Sequence, residues 1–172
     1  MRKLAILLAC ILLIALPAQA MSDRFAYVME FDRDPAKAGT PEQQALIREH
    51  VESRLQWDCA LDRTFRALAK VVKRYWQDPG NLKKPVTTTL IEGINGRANN
   101  TQIWVHKSYT GEALLSIWTH ELGHVIGINL FNPQDASEDW AEQFKVWVFN
   151  DCPTDHPVWE RLQPRVDEIL AA

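Results

Sequence analysis

The segment His-Glu-Leu-Gly-His at residues 120–124 constrains this chain more than any other feature. Its two histidines are four residues apart, so on a helix they lie on the same face, one turn above the other. Both imidazoles can then reach one ion at the roughly 2.0–2.1 Å of a zinc–nitrogen bond. Glu121 lies beside such an ion without being a ligand, where it can take a proton from water. The pattern predicts a zinc hydrolase site of the peptidase type.

The alternative is a chance match, in which an amphipathic helix satisfies both histidines with neighbouring carbonyl groups. The surrounding sequence favours the metal. Residues 111–119 lead into the motif without a helix breaker, and we expect Thr110 to cap the helix and Gly127 to end it in a left-handed conformation. Burying the motif among apolar residues such as Leu114 and Ile117 would be costly without a partner, and a cation supplies that partner.

A catalytic zinc usually has three protein ligands, so a third must be found outside the motif. A second helix is predicted from Ser137 onwards, and its Glu138 and Glu142 are four residues apart on one face. We predict Glu138 as the third ligand. Glu142 would then accept the second N–H of a ligating imidazole and so fix its tautomer. The alternative is that Glu138 and Asp139 only compensate the dipole at a helix N-terminus.

The segments HELGH and EDWAEQF together resemble the gluzincin metallopeptidases, in which a helix after the motif bears a glutamate ligand and an acid one turn later. Within that group the chain is most similar to the catalytic domain of the anthrax lethal factor type, over roughly residues 85–170. The resemblance implies a zincin-like α+β domain that binds one Zn²⁺. It implies these roles: His120, His124 and Glu138 as zinc ligands, Glu121 as general base, and Glu142 as support for a ligand.

One position departs from those relatives, which often carry a tyrosine seven residues before the glutamate ligand to stabilise the oxyanion. This chain has Phe131 there. Two residues are candidates for the missing donor: Tyr109, which precedes the metal helix, and His156, which Asp155 could orient. We predict His156 as the catalytic donor. The alternatives are that Tyr109 packs at the helix start and that His156 is a surface loop residue.

The first twenty residues predict a signal peptide. Arg2 and Lys3 precede an apolar run at residues 4–16, and small residues favour cleavage after Ala20. The run is short for a membrane span, which needs about 20 apolar residues. The residues up to Cys10 are similar to a lipoprotein cleavage site, but the apolar run continues past Cys10. We therefore expect Cys10 to be removed with the signal peptide. We therefore expect one domain, residues 21–172, that is secreted or periplasmic and has no membrane association once the signal is removed.

The charge and cysteine content of that domain limit its partners and its compartment. Without Arg2 and Lys3 the chain has 17 basic and 22 acidic residues, which does not favour nucleic acid. Cys59 and Cys152 remain, in a compartment where thiols tend to pair. We predict a disulfide between them, worth on the order of 4 kcal/mol in the chain-entropy model. The alternative is two free buried thiols.

The rest of the chain predicts the elements of an α+β domain in which a small mixed or antiparallel sheet packs on the metal helix. Strands are expected at residues 25–31, 86–94 and 101–107, and the segment 95–100 is expected to join the last two. A helix is expected from Thr40 to about Gln77, broken near residues 57–58. The strand 101–107 is a candidate for pairing with an extended substrate, unless it is internal. Trp118 and Trp140 line a substrate pocket or, more commonly for such residues, belong to the core.

These observations favour a zinc-dependent endopeptidase acting on a peptide or protein substrate. The alternative is a secreted zinc-binding protein that binds a peptide or protein partner with little or no turnover, and Phe131 is its main support. A third class, a metal-free helical interaction protein, requires the motif to be accidental.

Overall fold

The computed structural model describes residues 29–76 and 86–172, and within them it shows a mixed four-stranded sheet. The strands are β1 (Met29–Phe31), β2 (Val86–Ile91), β3 (Gly96–Ala98) and β4 (Gln102–His106). Their order across the sheet is β1-β2-β4-β3. β1, β2 and β4 are parallel, and β3 is antiparallel to β4. The predicted signal peptide and the first residues of the predicted strand 25–31 lie outside the described residues.

Five α-helices accompany this sheet: α1 (Pro41–Glu52), α2 (Ala60–Trp76), α3 (Gly111–Leu130), α4 (Glu138–Phe149) and α5 (Pro157–Ala171). A short 3₁₀ helix, Pro133–Asp135, lies between α3 and α4. The expected start of α1 is confirmed, because Thr40 and Gln43 form a reciprocal capping box and Pro41 is the first helical residue. The expected break also occurs, since residues 53–59 separate α1 from α2. The described chain is therefore a mixed α+β domain, as predicted.

Helix α3 is central to the core and is apolar around most of its circumference. It packs against β3 and β4 on one side and against α1, α2 and α4 on the others. A helix that is apolar all round is normally buried in this way. Trp118 illustrates the packing, because it is 1 % exposed and its indole N–H donates to the Thr88 hydroxyl at 3.0 Å. None of the described helices has a stretch long and apolar enough to span a membrane.

The expected end of α3 at Gly127 is wrong. The helix continues to Leu130, and Gly127 has no positive φ. A Cβ at Gly127 would lie 2.9 Å from the Cβ of Ala136 and 2.9 Å from the Trp140 ring. This glycine is therefore required for close packing of the following segment onto α3 rather than for ending the helix. Thr110 occupies the cap position at the start of α3, but its side chain makes no capping hydrogen bond.

One expectation about the strands also needs correction, and one alternative is decided. The segment expected only to join two strands contains β3, because residues 96–98 pair in register with residues 103–105 of β4. The strand 101–107, a candidate either for substrate pairing or for an internal position, corresponds to β4 and is internal, between β2 and β3. The outermost strand next to α3 in the described sheet is therefore β3. Its short length and its glycine gave little strand signal in the sequence.

A buried histidine, His50 of α1, contacts the residue that precedes the metal motif. Its Nε2 lies 3.2 Å from the Thr119 hydroxyl, and the guanidinium of Arg54 lies 3.3 Å from its Nδ1. Because a guanidinium can only donate, Nδ1 is the acceptor and Nε2 carries the proton. Burial lowers the pKa of His50 to about 4, and the positive charge of Arg54 contributes to the lowering, while Asp151 opposes it.

The lowered pKa of His50 predicts that the protein loses stability in acid. Its folded pKa of about 4 is below the ordinary value of 6.5, so between these pH values the unfolded chain binds the extra proton. The free energy of unfolding should therefore fall by about 2–3 kcal/mol as the pH decreases from 6.5 to 4, at 1.36 kcal/mol per pH unit. Denaturant unfolding at pH 7 and pH 4.5 should show a smaller decrease for His50→Gln than for the wild type. An equal decrease in both proteins would contradict this assignment.

Candidate metal centre

The face of α3 that carries the motif meets the N-terminus of α4 at a group of three possible ligands. The Nε2 of His120 lies 3.1 Å from one carboxylate oxygen of Glu138, and the Nε2 of His124 lies 3.4 Å from the other. One ligand atom from each of the three residues lies within 4.8 Å of the others. A tetrahedral zinc ion with bonds of about 2.0–2.1 Å would separate its ligand atoms by about 3.3 Å. These three residues could hold a metal ion.

Both histidines are oriented by a contact to their other ring nitrogen. The Nδ1 of His124 lies 3.0 Å from the backbone carbonyl oxygen of Ala136, to which it donates. The Nδ1 of His120 lies 3.4 Å from a carboxylate oxygen of Glu142. Both Nδ1 atoms thus have an acceptor beside them, and both Nε2 atoms face the Glu138 carboxylate, to which the Nε2 of His120 donates at 3.1 Å. A bound cation would take the place of that proton. Such second contacts are typical of metal-ligating histidines, because they fix the tautomer and the ring direction.

The position of Glu138 depends on close packing between α3 and α4. Ser137 caps α4 by accepting a hydrogen bond from the backbone N–H of Trp140, so Glu138 is the first helical residue. A Cβ at Gly123, inside the motif, would lie 2.9 Å from the backbone of Ala141. The indole N–H of Trp140 donates to the carbonyl oxygen of Gly123 at 2.8 Å. A glycine in the motif therefore lets α4 approach α3, and Trp140 is a core residue rather than a pocket residue.

Glu121 lies between α3 and the edge strand β3. It is 7 % exposed, and a Cβ at Gly96 would clash with its carboxylate. Burial raises the pKa of Glu121 to about 7; His124 lowers the value and the negative charge of Glu138 raises it. A cation bound nearby would lower this pKa, because an opposite charge favours the ionised carboxylate. A buried carboxyl group of this kind is suited to exchange protons near neutral pH.

Two further polar residues beside Glu121 were missed by the sequence analysis. Asn95 and Lys145 line a pocket of about 320 Å³ together with His120, Glu121 and Glu142. The ammonium group of Lys145 lies 2.6 Å from Glu142, and this hydrogen bond is the main reason why the pKa of Glu142 is lowered. Lys145 lies three residues after Glu142 on α4, which is the only sequence signal that could have indicated it.

The two candidate oxyanion donors lie in different places. The Tyr109 hydroxyl donates to the side-chain oxygen of Asn95 at 3.1 Å, and Asn95 lines the pocket beside Glu121. His156 is the cap of α5, where its Nδ1 accepts a hydrogen bond from the backbone N–H of Val158. It follows the C-terminal end of α4, whereas Glu138 is at the N-terminal end. The structure thus brings Tyr109, and not His156, towards the described ligand group.

Phe131, which occupies the position of the family tyrosine, packs next to the end of α3. Its ring meets the Trp140 ring edge to face, with centroids 5.3 Å apart. The guanidinium of Arg161 lies 5.0 Å from the centroid of each ring. Phe131 therefore has a packing role and offers no hydroxyl to the site.

Both cysteines of the described domain are free thiols. The Cys59 sulfur lies 3.4 Å from the carbonyl oxygen of Arg54 and 3.4 Å from the backbone nitrogen of Asp62. Cys152 is buried in a left-handed turn, and burial raises the pKa of its thiol, as does the neighbouring Cys59. The predicted disulfide is not formed in this structure. Its formation would remove the S–H that Cys59 donates to the Arg54 carbonyl oxygen.

Searches of protein-family models, curated proteins and solved structures found no match to this chain. The interpretation of the site rests on its geometry and on the sequence motif. Of the predicted site residues, five meet at the junction of α3 and α4: His120, Glu121, His124, Glu138 and Glu142.

Proposed function

We propose that this protein is a zinc-dependent endopeptidase with a zincin-like fold of the gluzincin type. The observation that carries the proposal is the convergence of two Nε2 atoms and one carboxylate, with both Nδ1 atoms already engaged. Two imidazoles and a carboxylate form a donor set that zinc uses in catalytic sites, where a fourth position is left for water or substrate. His120, His124 and Glu138 would hold the ion. We also propose that the chain is exported, in keeping with its first twenty residues.

The chain's own residues supply the proton transfers. When bound, zinc would polarise the scissile carbonyl and lower the pKa of water towards about 7. Glu121 would accept the proton of the attacking water and deliver it to the nitrogen of the leaving amine. Its burial beside Gly96 limits competing solvent.

The edge strand β3 is the element best placed to hold an extended peptide. It is one of the two edge strands of the described sheet, and its Gly96 lies against Glu121. A peptide can add to such an edge through backbone hydrogen bonds, and antiparallel pairing is more common than parallel. This pairing would place the scissile carbonyl between β3 and the metal face of α3.

A protein that binds zinc and a peptide but does not turn it over is the second candidate. Phe131 supports it, because the family tyrosine that would stabilise the oxyanion is replaced by a packed phenylalanine. Loss of one oxyanion donor costs about 10²–10³ in rate, so the replacement alone would leave a weak enzyme unless another donor serves.

Incubation of the zinc-loaded chain 21–172 with a mixed peptide library distinguishes these functions. An endopeptidase should generate internal cleavages that stop when a chelator removes the metal and return when zinc is added. Mass spectrometry of the products measures the extent of cleavage and identifies the cleavage sites. If the protein binds zinc but cleaves no peptide, the proposed activity is wrong and the binding function remains.

The structure alters the prediction for the oxyanion donor. Tyr109→Phe should lower kcat with zinc content and KM little changed, because it removes a hydroxyl that bonds Asn95, a residue of the pocket of Glu121. His156→Ala should leave kcat unchanged but lower stability by about 1 kcal/mol, because it removes the cap of α5. Steady-state kinetics and thermal unfolding of both variants test this. A large loss of kcat in His156→Ala, with Tyr109→Phe unchanged, would restore His156 as the donor.

A further inference from the structure

A cavity of about 760 Å³ opens beside the last turn of α3, after the candidate ligand His124. Its walls come from the last turns of α3, the end of β3 and the outer side of α2, at Ile128, Ala98 and Val71. Ala136 also lines it, and the carbonyl oxygen of Ala136 is the acceptor for Nδ1 of His124. Ala136 thus links the wall of the cavity to the candidate metal centre, whose three possible ligands do not line the cavity themselves.

Apolar and polar residues both line this cavity, and the polar ones are Asn99, Asn100, Asn129 and Arg165. Ile128, Phe131 and Val71 are partly exposed there. Two polar residues of the wall use their donors within the protein. The Asn129 amide donates to two backbone carbonyl oxygens at 2.8 Å, and Arg165 donates from Nε to a third at 2.8 Å and pairs with Glu168. An apolar side chain entering the cavity would be buried without displacing these bonds.

A second pocket, lined by His120 and Glu121, has a different chemistry and a smaller volume. This pocket of about 320 Å³ also contains Lys145, Glu142 and Ser116. Strand β3 borders both spaces, because Gly96 lines the small pocket and Ala98 lines the large cavity. A peptide antiparallel to β3 would thus run from the cavity towards Glu121, with its N-terminal side in the cavity.

The spacing along α3 indicates which substrate residue reaches the cavity. Ile128 lies four residues beyond His124, which is about 6 Å along the helix axis. An extended peptide advances about 3.3 Å per residue, so this distance corresponds to about two residues. We propose that the cavity binds a bulky apolar side chain of the substrate, within three residues before the scissile bond. This proposal rests on the proposed peptidase function.

A cleavage-site profile of the zinc-loaded protein tests the proposal. Peptides with each position randomised in turn should show Phe, Leu, Met or Trp enriched at least about tenfold over charged residues at one of the three positions before the cut. Ile128→Lys and Val71→Lys place a cation in the cavity from two different walls. Each should shift the preference at that position towards Asp and Glu.

Two controls separate the cavity from general effects. Ile128→Leu keeps the apolar chemistry and should keep the wild-type preference. Trp57→Lys adds the same charge at a residue that is 63 % exposed in the α1–α2 connection, and it should not alter the profile. Circular dichroism and zinc content identify a variant that has not folded, in which case the variant on the other wall gives the result.

The outcomes distinguish this proposal from the proposed function. Cleavage without an apolar preference before the cut, or with a preference that neither cavity variant changes, would overturn the cavity assignment and leave the peptidase. An absence of all cleavage would overturn the peptidase. The same peptide library is then captured on the zinc-loaded wild type. Enrichment of peptides with apolar residues that Ile128→Lys abolishes would support the cavity assignment. Capture without such enrichment would refute it.

Discussion

The double variant His120→Ala, His124→Ala should contain no tightly bound zinc, whereas the wild-type chain should carry about one ion per molecule. The physical reason is the geometry of α3, which directs both Nε2 atoms at the carboxylate of Glu138. Metal binding to the folded state also adds to stability, by about 4 kcal/mol when the free ion is at a thousand times its dissociation constant. A chelator should therefore lower the Tm of the wild type and leave the Tm of the double variant unchanged.

Elemental analysis of the purified proteins and thermal unfolding with and without chelator measure these effects. His106→Ala is the matched control, because His106 is a partly exposed histidine on β4 whose Nδ1 contacts only a nearby serine hydroxyl and backbone nitrogen in the described hydrogen bonds. It should retain zinc. Glu138→Gln should weaken the affinity without abolishing binding, since both imidazoles remain. Full zinc occupancy in the double variant would defeat the ligand assignment.

Glu121→Gln should keep its zinc and lose catalysis by a factor of about 10²–10⁴, with a larger loss where the same group also serves as the acid. Glutamine preserves the size and helix propensity of the residue but cannot accept the proton of the attacking water. Zinc should remain because Glu121 lies against Gly96 of β3 and is not one of the three residues whose ligand atoms converge.

The matched control for this variant is Glu112→Gln, at an exposed position in the first turn of the same helix. It should leave both zinc content and turnover near the wild-type values. Single-turnover assays at fixed zinc concentration, with metal content measured on the same samples, separate loss of the base from loss of the metal. If Glu121→Gln loses zinc but keeps turnover in added metal, the roles of base and ligand are reversed.

The local elements were predictable where short-range chemistry determines them. The capping box at Thr40 and Gln43 was confirmed, because it depends only on residues three positions apart. Leu61, Phe65 and Leu68 of α2 are buried in the core, and their helical spacing, which places them near one face, is also a local feature of the sequence. By contrast, β3 was missed and Gly127 was misassigned, because both depend on what packs against them. From the sequence alone, a glycine that ends a helix cannot be distinguished from a glycine that allows a neighbouring segment to pack closely against the helix.

Within the candidate site, the sequence by itself determined that His120 and His124 share a helical face with Glu121 beside them, since the period of the α-helix places residues four apart one above the other. Only the tertiary structure decided how that face is used. It turns Glu138 towards both Nε2 atoms, supplies the Ala136 carbonyl and Glu142 to the Nδ1 atoms, and closes Glu121 against Gly96. It also makes His156 the cap of α5 and bonds the Tyr109 hydroxyl to Asn95. These relations join residues distant in sequence, and their directions follow from how α4 and β3 pack on α3, which no local pattern encodes.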